Sequence, residues 1–187
     1  NVKTEDTRLH TLTPTFVDDN NETITQVIDP TTQRITKTIN KTLGTTTVHQ
    51  YNEETETVTL LNQTENTFRV FEYDFKENRS RRILKSGKRD AQGNLVDDTE
   101  YDYAVADQVK VKQLQTGDDQ TYAFNNTTLA LGRLLEENRG GEHLLYDYSE
   151  SGQVSVVNDT RKTFRTFKFT EEKMRDLLAD AALDLAR

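Results

Sequence analysis

The sequence predicts an α+β protein: a tandem duplication of a ββαβββα unit, with antiparallel sheets and helices packed on one side. Three observations carry that expectation. The chain matches itself at one offset, apolar residues recur at spacings of three and four behind capping residues, and Thr-, Val- and aromatic-rich runs alternate with polar turns.

The self-match is at an offset of 96. VTLLNQTENTFRVFEY, starting at Val58, lies over VSVVNDTRKTFRTFKF, starting at Val154. Val58, Asn62, Thr64, Thr67, Phe68, Arg69 and Phe71 are repeated as Val154, Asn158, Thr160, Thr163, Phe164, Arg165 and Phe167. With no gap, the same offset brings Gly44 onto Gly140, Thr31-Thr32 onto Thr127-Thr128, Ile35 onto Leu131 and Ile39 onto Leu135. A register held over that length points to duplication. The expected units are residues 1–90 and 91–187, either side of a polar joint from Ser86 to Thr99, and they could form a single pseudo-twofold domain with a concave sheet face.

Within a unit, Asp29-Pro30 reads as a cap with proline at the first helical position. Ile35, Ile39 and Leu43 then form a stripe ending at Gly44, which predicts a helix over 30–43. Its copy starts at Asn125 or Asn126, carries Leu131, Leu134 and Leu135, and closes at Gly140. Strands are expected at 45–52, 57–62 and 66–75, and again at 142–149, 153–158 and 163–169. Extended segments precede each first helix, at 9–17 with 23–28 and at 101–114 with 120–125. A second helix ends each unit, at 76–86 and at 171–186, the latter with Met174, Leu177, Leu178, Ala181 and Leu185 on one face behind Thr170.

Composition limits the function. A net charge of -8 argues against general affinity for nucleic acid, because counterion release needs an excess of cations. No apolar run is long enough to span a membrane as a helix. Hydrophobic residues make up 33% and charged residues 30%, which suits thin, well-solvated layers. With no Cys there are no disulfides, thiolate nucleophiles or Cys-type zinc sites.

Candidate sites are few. His10, His49 and His143 are isolated from one another, and the paired acids Asp18-Asp19, Glu53-Glu54, Asp97-Asp98 and Asp118-Asp119 lie in turns without calcium-loop spacing. No GxSxG, HExxH or phosphate-loop motif occurs, so no catalytic, cofactor or metal residue is assigned. Arg69 and Arg165, repeated in the TFR triplet, are candidates for gripping an anion; the alternative is that each covers an aromatic ring or pairs with an acid. Lys76, Arg79, Arg81, Arg82, Lys85, Lys88 and Arg89 form a basic cluster with no counterpart in the second copy. Asn-x-Thr/Ser recurs at Asn21, Asn40, Asn62, Asn78, Asn125, Asn126 and Asn158, where Asn and Thr also suit turns and caps.

The function these readings predict is non-enzymatic: an exported or cell-surface bacterial protein, lipoprotein-type in one version, that binds a protein or cell-envelope polymer through its sheet. The start at Asn1, the absence of Cys and the Thr/Asn-rich strands motivate it. The alternative is an intracellular anion-binding or regulatory module that uses the basic cluster at 76–89.

Overall fold

The computed structural model describes residues 11–168. They form fourteen antiparallel strands in one sheet, whose hydrogen-bonded order is the order of the chain. The first seven are β1 (Thr15–Val17), β2 (Thr23–Ile28), β3 (Ile35–Asn40), β4 (Thr45–Asn52), β5 (Thr57–Asn62), β6 (Thr67–Asp74) and β7 (Arg79–Arg89). They continue with β8 (Leu95–Asp102), β9 (Gln108–Gln113), β10 (Asp119–Asn125), β11 (Ala130–Arg139), β12 (Glu142–Tyr148), β13 (Gln153–Asn158) and β14 (Thr163–Lys168). Contacts divide the chain into two compact units, Asn1–Val96 and Asp97–Arg187.

The expected α+β class is therefore corrected to all-β, because three predicted helices are strands. Asp29-Pro30 opens a turn rather than a helix. Asp29 Oδ1 accepts the amides of Thr31 and Thr32 at 2.7 and 3.1 Å, Gln33 adopts φ 57°, and β3 follows. Ile35 and Ile39 are four apart, and four is a multiple of the strand period as well as close to a helical turn. The β-branched Ile and Thr in ITKTIN favour the strand.

Over 125–140, Asn125 again caps a turn, accepting from Thr127 and Thr128, and β11 replaces the helix. Leu131 and Leu134, three apart, sit opposite Phe124 and Tyr122, two apart. Register shifts in this pair absorb the odd residue, so a β-bulge imitated helical spacing. Over 76–86, Lys76 to Asn78 complete a turn and Arg79 begins the longest strand. The expected joint at 86–99 holds the end of β7, a turn at Asp90–Asn94 and the start of β8. The helix expected at 171–186 lies outside the described residues.

One turn chemistry recurs. At ten of the connections among the described residues, an Asp or Asn side-chain oxygen accepts one or two backbone amides of the turn, as Asp18, Asn40, Asn52, Asn62, Asp74 and Asn158 do. A residue with positive φ commonly leads into the next strand: Asn66 at 55°, Asn78 at 54°, Gly93 at 89°, Lys162 at 55°. The side chain satisfies amides the ladder cannot reach, and the left-handed residue turns the chain back with the strand twist. Asn40, Asn62, Asn125 and Asn158, each in an Asn-x-Thr sequence, serve as these caps.

Each unit buries side chains on its sheet. In the first, Val58 and Phe68 are almost wholly enclosed, and Leu61, Phe68 and Val70 form one cluster. Gly87, opposite Phe68 across β6 and β7, makes room for the ring; a Cβ there would lie 2.8 Å from Phe68 Cε1 and 2.1 Å from the Val96 carbonyl oxygen. At the turn edge Tyr73 packs between Tyr51 and Phe75, with ring centroids 4.8 and 4.9 Å away, and the Arg34 guanidinium lies 4.5 Å from the Phe75 ring. In the second unit Val109, Val111, Tyr122, Phe124 and Val154 are buried. There Glu137 is buried but accepts from Tyr146 Oη and Gln120 Nε2, each at 3.0 Å.

The turns can be tested in two places. Leu129 is exposed and held at φ 54°, which costs a β-carbon-bearing residue about 1 kcal/mol, so Leu129→Gly should raise the thermal midpoint. An unchanged or lower midpoint in scanning calorimetry would contradict it. Asp90 is held below its ordinary 3.8 first by the Asn94 side chain and then by backbone amides. A depressed folded pKa gives stability that is present above the unfolded value and lost as pH falls through the folded one. Asp90→Asn should therefore be less stable than the wild type at neutral pH, with the two urea midpoints converging in acid below that range.

Candidate binding face

A single register line crosses the second unit from β8 to β14. Asp102 lies opposite Lys110, Lys110 opposite Thr121, Thr121 opposite Glu136, Glu136 opposite Leu145, Leu145 opposite Val157 and Val157 opposite Phe164. Directly paired residues in an antiparallel ladder point to the same side, so these seven share one face. The line is polar over β8–β11 and apolar over β12–β14.

A parallel line places Glu100, Lys112, Asp119, Asn138 and His143 beside it. Diagonal pairs tie the two lines together. Lys112 Nζ meets Asp102 at 3.0 Å and Lys110 Nζ meets Asp119 at 3.6 Å. His143 Nε2 lies 2.9 Å from Glu136 Oε1, and its Nδ1 lies 3.8 Å from Asp159 Oδ2. The Lys112 ammonium holds the Asp102 carboxyl below its usual range, and Asp102 raises Lys112 in return. Exposed pairs of this kind are screened by solvent, so they order the face more than they stabilise the fold.

Over the polar end lies a cleft of about 360 Å³, lined by Asp102, Gln108, Lys110, Lys112, Thr121 and Glu136, with Ala104 and Val105 as its apolar part. Two lysines balance two carboxylates there, so the lining suits neither an anion nor a cation by charge alone. Thr121 is only 6% exposed, and its hydroxyl finds no hydrogen-bond partner among the described residues.

The apolar end is unusual for its exposure. Leu145 is 40% exposed, Val157 38% and Phe164 75%. By register, Val48, Leu61 and Phe68 occupy the corresponding places in the first unit, since Val48 lies opposite Leu61 and Leu61 opposite Phe68. There Leu61 is 6% and Phe68 2% exposed. Leu61 and Phe68 are thus core in the first unit where Val157 and Phe164 are surface in the second, and Val48 is half-buried.

The residues singled out from the sequence are distributed differently. Arg69 lies in mid-β6, opposite Leu60 and Ser86, on the Phe71 side; Arg165 is exposed in mid-β14, opposite Val156. The basic cluster runs through a turn and along a strand carrying two register shifts, so it presents no single cationic face. Arg79 pairs with Glu77 at 2.5 Å, Arg81 with Asp74 at 2.6 Å and Arg82 with Glu72 at 2.8 Å. Lys85 and Lys88 sit opposite Val70 and Thr67, and Arg89 Nε donates to the Gly93 carbonyl. His49 Nε2 lies 3.0 Å from Thr38 Oγ1, and burial pushes the histidine's pKa down. His10 lies outside the described residues. Among the described residues no group of three His, Asp or Glu side chains could hold a metal ion, and no helix is long and apolar enough to cross a membrane.

Sequence reasoning missed the Leu145–Val157–Phe164 row, although Val157 and Phe164 stand in the matched strings. No protein-family model matches the chain, and no curated protein matches it.

The orphaned hydroxyl supplies a test. Replacing Thr121 by Val removes an unsatisfied buried polar atom at nearly constant shape, which should stabilise the protein by about 1 kcal/mol. A lower urea midpoint for the variant would show that the hydroxyl is bonded in solution.

Proposed function

We propose that this chain is a non-enzymatic binding module of an exported or cell-surface bacterial protein, holding a partner through the second unit's sheet face. The observation that carries the reading is the Leu145–Val157–Phe164 row, solvent-facing where the first unit encloses Leu61 and Phe68. Apolar side chains aligned across neighbouring strands form a contiguous patch, and such patches mark interaction sites more than scattered apolar residues do. The polar lines next to it supply donors and acceptors of both signs, the composition of an interface rim. The Thr- and Asn-rich composition motivates the extracellular part of the reading.

Use of the basic cluster by an intracellular anion-binding module has less support. Arg79, Arg81 and Arg82 each already face a carboxylate, and an anion would have to displace it.

The test is position-dependent crosslinking. A photoreactive benzoylphenylalanine placed at Phe164 or Leu145, in the cell that makes the protein, should give a discrete adduct. The same residue at Glu150 should give none, because Glu150 is exposed in the turn between β12 and β13, outside the strand rows of that face. Equal adduct yields at all three positions, or none at any, would remove the proposal.

A further inference from the structure

We infer that the cleft over β8–β11 binds a free α-amino acid with an aliphatic side chain, held by its two charges between Lys110 and Glu136. The inference stands apart from the partner-binding reading, because the cleft lies at the polar end of the face and uses none of the apolar row.

The register builds the site. Lys110 on β9 lies opposite Thr121 on β10, and Thr121 lies opposite Glu136 on β11, so a cation, a hydroxyl and a carboxylate stand side by side on one face. All three line the cleft of about 360 Å³. That volume is at the small end of ligand pockets, which run from roughly 300 to 1,000 Å³. Neighbouring strands are about 4.8 Å apart, which sets the backbones of Lys110 and Glu136 about 10 Å apart across Thr121. The ammonium and carboxylate of an α-amino acid are about 3 Å apart, and a charge-assisted hydrogen bond of about 2.8 Å at each end brings the span to about 9 Å. Such a ligand bridges the two side chains. Gln108 adds an amide that both donates and accepts, while Ala104 and Val105 form an apolar wall for the ligand's side chain.

The polar groups of the lining are not equally committed. Asp102 and Lys112 satisfy each other at 3.0 Å and make a neutral flank. Lys110 Nζ lies 3.6 Å from Asp119, beyond hydrogen-bond length, so its ammonium keeps donors for a ligand carboxylate. Glu136 meets His143 through Oε1, and a carboxylate with about four lone-pair sites accepts further donors. Between these two charges sits Thr121, 6% exposed, whose hydroxyl has no hydrogen-bond partner among the described residues. A buried polar atom left unsatisfied costs stability, and a ligand between Lys110 and Glu136 gives it a partner.

Charge selects the ligand class. Two lysines and two carboxylates cancel, so a simple anion or cation is repelled by half of the lining, whereas a dipolar ligand is attracted at both ends. No aromatic ring is among the described residues lining the cleft, so it lacks a stacking platform for a sugar.

The experiment titrates the full, isotope-labelled chain and follows its backbone amide resonances. L-Leucine should shift the amides of Lys110, Thr121 and Glu136 saturably. Leucinamide, which lacks the carboxylate, and isocaproate, which lacks the ammonium, should each bind roughly tenfold more weakly. Lys110→Met should weaken leucine and leave leucinamide unchanged, while Glu136→Gln should weaken leucine and leave isocaproate unchanged. Thr121→Val should weaken leucine about fivefold while raising the urea midpoint, a combination that a purely structural hydroxyl would not give. Lys41→Met, which removes an exposed cation from a turn of the first unit, should change nothing. Equal binding of leucine and either analogue, glucose shifting the same amides as strongly, or no saturable shift at Lys110, Thr121 and Glu136 would each overturn the inference. The analogue comparison needs no variant, so a substitution that fails to fold does not shelter it. Crosslinking at Phe164 and Leu145 reads the other end of the face, so the two readings fail separately.

Discussion

Each strand pairs with its neighbours in the chain, so the length of each turn fixes the register of the next ladder. Nothing else in the topology can correct it. In a two-sided sheet a slip of one residue exchanges the faces of a whole strand. The capped turns are therefore the constraint on which the rest of the structure depends: the Asp or Asn oxygen and the left-handed residue set where each strand restarts. The two units show this directly. Asn52 faces Thr57 across the β4–β5 turn, whereas Tyr148 faces Val154 across the β12–β13 turn. The one-residue difference moves the tyrosine next to the turn from Tyr51 to Tyr148, so the aligned copies are offset by 97 there and not by 96. Both tyrosines nevertheless carry an arginine over the ring, Arg34 at 5.6 Å and Arg133 at 5.1 Å.

The strands of the matched strings were legible because Val58–Asn62 and Thr67–Tyr73 are rich in β-branched and aromatic residues and stop at Asn-containing turns. The TFR triplets fall in β6 and β14, in like register with β5 and β13. The helices were misread for a physical reason. A spacing of four satisfies both periods, and the bulge between β10 and β11 makes a spacing of three look helical as well. Capping chemistry is equally ambiguous, because Asp29 and Asn125 offer their oxygens to backbone amides two and three residues on, as a helix N-cap does. The recurrent signal that separates the cases is an Asp or Asn followed four residues later by a left-handed residue, seen at Asp29 with Gln33, Asn62 with Asn66 and Asp74 with Asn78.

The candidate face was not legible at all. Its seven side chains come from seven strands and meet only through six successive registers, each set by a turn or a bulge. Exposure is still less readable, since Phe68 and Phe164 occupy the same triplet and differ only in what lies beside their strands. Sequence could match the two phenylalanines but could not show that one is enclosed by a strand bearing Gly87.

Nearest-neighbour pairing also gives the apolar row its character. In a meander, a strand's enclosure is supplied by the elements that flank it, so stability accumulates along the chain in steps, as it does in repeat architectures. β6 receives cover from β5 and β7, and its Phe68 is enclosed. Among the described residues β14 receives cover from β13, and its Phe164 is left in solvent at 75% exposure. Burying an aromatic ring of that size is worth roughly 1.5–3 kcal/mol. That energy is already realised at Phe68 and is still available at Phe164, where the backbone of β14 is formed and its side chains are set in alternating register. A partner that docks there meets a strand that needs no further ordering. This is why an exposed row of core-type residues on a finished strand is a stronger sign of a partner than the same residues in a loop.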